Sequence, residues 1–197
     1  MDYNTTLTKI SQNHSGIIET NTASEYGISK AILSKLCSEG KLIRIAMGQY
    51  ILPDEMQDEL YSLSKRSQKI IFSHETALFL HGISDRTPFE HTITAPSNCV
   101  PSPILKTECK VYYIKPELFD LGKTELTTPA GNPVPVYDME RTICDVIRSR
   151  SRIGSETFLS ALRAYAASER KNLNRLNDYS QRMLLSNVVR RYLEVLL

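Results

Sequence analysis

Two short helices punctuated by glycine, a glycine hairpin directly behind them, and four strand-like segments followed by a long helical stretch predict an α+β protein. The expected order is an N-terminal winged helix-turn-helix followed by a mixed α/β domain with a helical C-terminal portion. The chain has 197 residues, enough for one moderate core or two small ones. The expected division is 1–71, a winged DNA-binding module with a bridging helix, and 72–197, an α+β domain with basic C-terminal helices.

Residues 3–15 carry Leu7 and Ile10 at helical spacing and close at Gly16. Thr22-Ala23-Ser24-Glu25 reads as a capping box, with Thr22 at the cap and Glu25 three positions on. Gly27 stops that helix, and Ser29 caps the next, with Ile28 and Leu33 placed as a hydrophobic staple. From Ser29 to Glu39 the apolar residues Ile32, Leu33, Leu36 and Cys37 share one face. The opposite face holds Lys30, Ala31, Ser34, Lys35 and Ser38. Helix, turn and helix in this order place the second helix in a DNA major groove, and small side chains let it approach the base edges. Ser29, Lys30, Ala31, Ser34 and Lys35 are therefore candidate DNA contacts. Lys41–Ala46, Met47-Gly48 and Gln49–Leu52 read as a hairpin, the expected wing. On it Lys41, Arg44 and Gln49 are candidates for phosphates or the minor groove, and the Gly48 amide for close approach to a phosphate.

Pro53–Lys69 reads as a helical bridge whose acids Asp54, Glu55, Asp58 and Glu59 face away from nucleic acid. Ser73–Gly82 reads as a helix capped by Ser73, burying Ala77, Leu78 and Leu80. Leu78 stands four beyond His74, so the zinc pattern HExxH is absent. His91–Ala95, Val111–Ile114, Thr124–Thr128 and Val134–Tyr137 have strand composition, in a small mixed or antiparallel sheet punctuated by prolines. Asp138 caps a further helix on which Arg141 and Asp145 are spaced to pair, an interaction of a few tenths of a kcal/mol if exposed. Three helices complete the chain. Glu156–Ala167 buries Phe158, Leu159, Leu162 and Tyr165; Leu173–Leu184 buries Leu176, Tyr179 and Met183; Val188, Val189, Tyr192, Leu193 and Leu196 line the last.

The net charge of +2 hides an asymmetry. Residues 1–71 hold 8 basic and 8 acidic side chains, residues 72–146 hold 6 and 10, and residues 147–197 hold 10 and 4. All but one of the last ten cations are arginine, the residue suited to bidentate phosphate contact. Arg163, Arg170, Arg175, Arg182, Arg190 and Arg191 form a candidate basic surface, and convergence of at least three is expected. The alternative is a set of solvated helix faces. Cys37, Cys99, Cys109 and Cys144 are scattered and read as free thiols. No apolar run approaches the roughly 18 residues of a membrane span, and the N-terminus lacks a signal-peptide core, so a soluble cytoplasmic protein is expected. Glycine-rich phosphate loop, nucleophile elbow, CxxC pair and metal-spaced carboxylates are all missing, which argues against an enzyme and against a metal or cofactor.

Phe72–Arg86 (FSHETALFLHGISDR), Val136–Asp145 (VYDMERTICD) and Val189–Leu193 (VRRYL), behind the expected winged module, resemble the antitoxins of AbiE-type, type IV toxin-antitoxin systems of bacterial abortive infection. The likeness runs over nearly the whole chain, and the first two motifs are distinctive. It implies repression of the chain's own operon through promoter inverted repeats. It also implies neutralisation of a nucleotidyltransferase-like toxin without a stable complex, and a monomer in solution that binds promoter DNA cooperatively. On this chain the recognition role then falls on Lys30, Ala31, Ser34 and Lys35, with Lys41 and Arg44 near the wing. The competing reading is a winged regulator or adaptor whose C-terminal domain binds a protein partner directly.

Overall fold

The computed structural model describes residues 3–84 and 86–193, the last by its backbone alone. The chain divides into two compact units, Met1–Ser62 and Leu63–Leu197.

The first unit contains α1 (Tyr3–Asn13), β1 (Ile18–Glu19), α2 (Thr20–Glu25), α3 (Lys30–Ser38), β2 (Ile43–Ala46) and β3 (Gln49–Ile51). Its three strands pair antiparallel in the order β1-β3-β2, with Ile18 opposite Tyr50 and Ile43 opposite Ile51. Leu7 and Ile10 of α1, Ala23 of α2 and Leu33 and Leu36 of α3 close over this sheet in one buried cluster with Ile18, Ile28 and Leu42. Each such leucine or isoleucine side chain contributes about 1.5–3 kcal/mol by leaving water. The expected capping box does not form. Helix α2 begins at Thr20, two residues before Thr22, and Glu19 at its cap position makes no side-chain cap. Pairing of β1 with β3 delivers the chain to the helix early. The Gly48 carbonyl then accepts from both the Thr20 amide at 2.9 Å and its hydroxyl at 3.2 Å.

The boundary at 62/63 falls within α4 (Glu59–Lys65), which is shorter than the expected bridge. Asp58 is buried rather than part of a solvated acidic face, and its carboxylate accepts from the Tyr61 amide at 3.1 Å.

The second unit is a mixed α/β domain with a helical C-terminal region. It comprises β4 (Ile71–Phe72), α5 (His74–Leu80), β5 (His91–Pro96), α6 (Pro103–Glu108), β6 (Cys109–Ile114), β7 (Lys123–Thr127), β8 (Pro133–Tyr137), α7 (Met139–Arg148), α8 (Ser155–Ala167), α9 (Leu173–Arg182) and α10 (Ser186–Leu193). The sheet order is β6-β5-β4-β8-β7, with β5-β6 and β4-β8 parallel and β4-β5 and β7-β8 antiparallel. The units part at 62/63 rather than 71/72, because Ile71 and Phe72 are the middle strand of this sheet. A fragment starting at residue 72 would lack half of that strand.

Arg141 and Asp145 are not an exposed pair. Arg141 is fully buried, with Nε donating to Asp145 Oδ2 at 3.1 Å and Nη1 donating to the carbonyls of Leu118 at 2.8 Å and Leu121 at 2.6 Å. Its guanidinium lies 4.0 Å over the Tyr137 ring. The Asp138 cap forms as expected, accepting from the Arg141 amide at 2.8 Å. On the C-terminal helices Leu159 and Val188 are exposed rather than buried. Leu196 and the side chain of Leu193 lie outside the described residues. All four cysteines are free. No helix among the described residues is long and apolar enough to cross a membrane.

Candidate functional site

Helix α3 presents Lys30, Ala31, Ser34, Lys35 and Ser38 outward while Leu33 and Leu36 point to the core. Exposed Ser29 starts it, its hydroxyl accepting from the Ile32 amide at 3.4 Å. The cationic tips are partly engaged. Glu39, at the end of α3, lies 2.8 Å from Lys41 Nζ and 3.9 Å from Lys35 Nζ. The hydrogen bond and charge of Lys41 are the main causes that lower its carboxyl below the usual carboxylate range. Arg44 is exposed on β2, with Nε donating to the Ala46 carbonyl at 3.3 Å.

Two hairpin residues have other tasks. Gln49 is buried: its Nε2 donates to the Ser62 carbonyl at 3.2 Å and its Oε1 accepts from the Ser62 hydroxyl at 2.7 Å. It does not reach outward, because β3 is the middle strand of its sheet and the side chain of Gln49 points to the face where Ser62 of α4 packs on it. Gly48 makes the turn, with φ +76° and its carbonyl held by Thr20. A Cβ there would meet Thr20 Oγ1 at 3.3 Å, so glycine is required by the backbone whatever binds outside.

The C-terminal arginines divide. Arg170 Nη2 donates to the His81 carbonyl at 2.7 Å. Arg175 sits 3.7 Å from Asp138 and 3.6 Å from Glu140, and Arg182 is 3.2 Å from Asp178. Arg163 on α8 and Arg190 and Arg191 on α10 are exposed. Half of the expected basic surface is thus engaged with its own neighbours.

A second polar constellation lies in the Leu63–Leu197 unit, around Ser73 and His74, where the sequence predicts only a helix cap and no zinc pattern. His74, the first residue of α5, is held at φ +46°, a left-handed conformation that residues with a Cβ rarely adopt. The Ser73 hydroxyl does not cap that helix. Instead Ser73 Oγ lies 2.9 Å from His74 Nδ1 and accepts from the Thr94 hydroxyl at 2.8 Å. His74 Nε2 lies 2.9 Å from Ser149 Oγ. The imidazole stacks on Tyr112 with ring centroids 3.5 Å apart, and the Arg152 guanidinium lies 4.1 Å from the same ring. Two groups that close cannot share one face, so Tyr112 is sandwiched between them. Burial is the main cause that holds the His74 imidazole well below the usual histidine range, followed by the positive charges of Lys110, Arg141, Arg152 and Arg148. The sequence signal was the alternation Arg148-Ser149-Arg150-Ser151-Arg152. His74 and His81 do not converge, since His81 Nε2 bonds the Tyr137 carbonyl at 2.8 Å. Beside Lys110 opens a cavity of about 720 Å³, lined by Glu75, Arg86, Phe89, Lys110 and Glu156 among others. No cluster of three or more potential metal ligands occurs among the described residues.

No protein-family model and no curated protein matches the chain. Among solved structures it is similar to the RV2827C protein from Mycobacterium tuberculosis, with a TM-score of 0.67 and 14% sequence identity over 89% of this chain and 70% of that one. At that identity the likeness is one of fold: an N-terminal α/β segment followed by a mixed α/β domain with a helical C-terminal region.

Proposed function

We propose that residues 1–62 are a winged helix-turn-helix and that the chain is a DNA-binding autorepressor and type IV antitoxin. The observation that carries the DNA-binding half is the outward face of α3, which holds only small and basic side chains and is followed at once by a hairpin bearing exposed Arg44. In this reading Lys30, Ala31 and Ser34 meet base edges in the inverted repeats of the promoter. Lys35, Lys41 and Arg44 meet phosphates. The antitoxin half rests on the motif resemblance: the second unit opposes a nucleotidyltransferase-like toxin in the cytoplasm without a stable complex, and without a cofactor.

Separation of the two roles tests it. A full-length Lys30→Ala, Ser34→Ala, Lys35→Ala variant is expected to lose promoter repression and still rescue cells expressing the toxin. Wild-type repression by that variant, or loss of rescue by a protein that remains folded, contradicts the assignment.

The competing reading, an adaptor that binds a protein partner, is favoured by one observation. Glu39 draws Lys35 and Lys41 toward itself and reduces the charge offered to a phosphate backbone. Recovery of a stable stoichiometric complex with the toxin supports that alternative.

A further inference from the structure

We propose that the outer edge of β7 joins a second copy of this chain, by antiparallel strand pairing about a two-fold axis at Leu126. Strand β7 ends the sheet order, so its pairing with β8 leaves half of its backbone groups without a strand. Which half follows from the register. The Thr128 amide donates to the Asn132 carbonyl at 2.8 Å, and the Asp138 amide donates to the Gly122 carbonyl at 2.7 Å. Gly122 and Thr128 are thus bonded positions, and alternation along an antiparallel pair adds Thr124 and Leu126, opposite Val136 and Val134. Lys123, Glu125 and Thr127 are the intervening positions, whose amides and carbonyls point away from β8. Pro135 and Pro133 stand opposite Glu125 and Thr127, where β8 needs no amide donor toward β7.

Lys123, Glu125 and Thr127 are exposed, and no hydrogen bond among the described residues takes up the outward groups of Glu125 or Thr127. The Lys123 amide is engaged, donating to the Asp120 carbonyl at 3.2 Å. The opposite edge of the sheet is covered in part, since Arg152 Nη2 donates to the Val111 carbonyl of β6 at 3.4 Å. An open edge such as β7 takes another strand through main-chain hydrogen bonds.

Symmetry and charge select the occupant. The free groups of Glu125 and Thr127 lie on either side of Leu126, so a two-fold axis there sets Glu125 of each copy opposite Thr127 of the other and uses every one of them. Half-buried Leu126 then faces its own counterpart. Each carboxylate meets a neutral hydroxyl. Neighbouring registers are worse: an axis at Glu125 sets two carboxylates directly opposite, and an axis at Thr124 calls on the Lys123 amide that Asp120 already holds. A foreign strand would have to bring both the matching groups and a residue compatible with Glu125, whereas a second copy brings them by symmetry. The contact is small, below the about 1,000 Å² of a stable interface, so a weak dimer with Kd of about 10⁻⁴ M is expected.

Amide hydrogen exchange and sedimentation equilibrium on full-length protein, over a concentration series spanning that Kd, test the pairing. The Thr124 and Leu126 amides, bonded to β8, should exchange slowly at every concentration. The Glu125 and Thr127 amides should exchange fast in dilute protein and slow several-fold as dimer forms. Thr127→Lys places a cation opposite each Glu125 and should tighten the dimer several-fold, whereas Thr127→Glu should weaken it several-fold. Thr127→Pro removes an amide that faces away from β8 and should abolish association. In each variant, slow exchange at Thr124 and Leu126 reports that β7 remains folded on β8. A monomer throughout the series, exchange at Glu125 and Thr127 that ignores concentration, or equal affinity of the Thr127→Lys and Thr127→Glu proteins overturns the proposal.

Discussion

Lys41 Nζ lies 2.8 Å from Glu39 Oε2, so the first cation after α3 spends its charge on a carboxylate of its own module. In the proposed complex this contact competes with phosphate. Glu39→Gln should therefore raise promoter affinity several-fold and steepen its salt dependence, as Lys35 and Lys41 become available for counterion-releasing contacts. The check is a set of binding curves at three salt concentrations. Equal affinity and slope would mean that neither lysine reaches the DNA backbone.

Gln49 stands on the same hairpin but belongs to the core. Gln49→Ala removes two hydrogen bonds and strands the Ser62 hydroxyl, which should cost about 1–3 kcal/mol of stability. Urea denaturation measures that loss. At a temperature where the variant is fully folded, its discrimination between promoter and unrelated DNA should match wild type.

The buried Arg141 also accounts for a glycine. A Cβ on Gly122 would sit 2.6 Å from Arg141 Cβ and 3.1 Å from Tyr179 Cε2, at a backbone φ of +75°. Gly122→Ala should be strongly destabilising. Asp145→Ala should cost about 3–5 kcal/mol, because it leaves a buried guanidinium without its counter-ion. Both are read by thermal unfolding, and a loss below about 1 kcal/mol for Asp145→Ala would contradict the buried pair.

Acid should destabilise the fold through histidine. His74 and His81 are both depressed, chiefly by burial, so below the ordinary value near 6.5 the unfolded chain takes up protons that the folded chain refuses. Their stabilising contribution is whole above that pH and falls as pH drops below it, by at most about 1.4 kcal/mol per pH unit for each group. His74→Gln should flatten the slope of unfolding free energy between pH 6.5 and 5. An unchanged slope would show that His74 does not remain neutral.

What the sequence made legible was local. The Ser29 and Asp138 caps, the glycine hairpin and the strands from His91 to Tyr137 all depend on residues within a few positions of one another. Strand β4 was not legible, because two residues carry no periodicity and its partners, Ile93 and Val136, lie far along the chain. The same distance hid the fate of Gln49, whose partner is Ser62, and of His74, whose partner is Ser149. Arg141 and Asp145 were visible as a pair, but their burial depends on carbonyls of Leu118 and Leu121 in a separate loop. Of the candidate DNA residues, the outward set on α3 followed from helical spacing alone. Gln49 failed because β3 is a middle strand whose second face is covered by Ser62 of α4, which the hairpin's own sequence does not announce.

The central claim is that α3 reads promoter DNA, and titration of wild-type and Lys35→Ala protein against the operon's inverted repeat and a scrambled duplex tests it most directly. The account predicts a clear preference of wild type for the repeat. Lys35→Ala should bind both duplexes more weakly by a similar factor, with a salt slope lower by about 0.9. Equal wild-type affinity for the two duplexes, or unchanged binding when Lys30, Ser34 and Lys35 are all replaced, would contradict it.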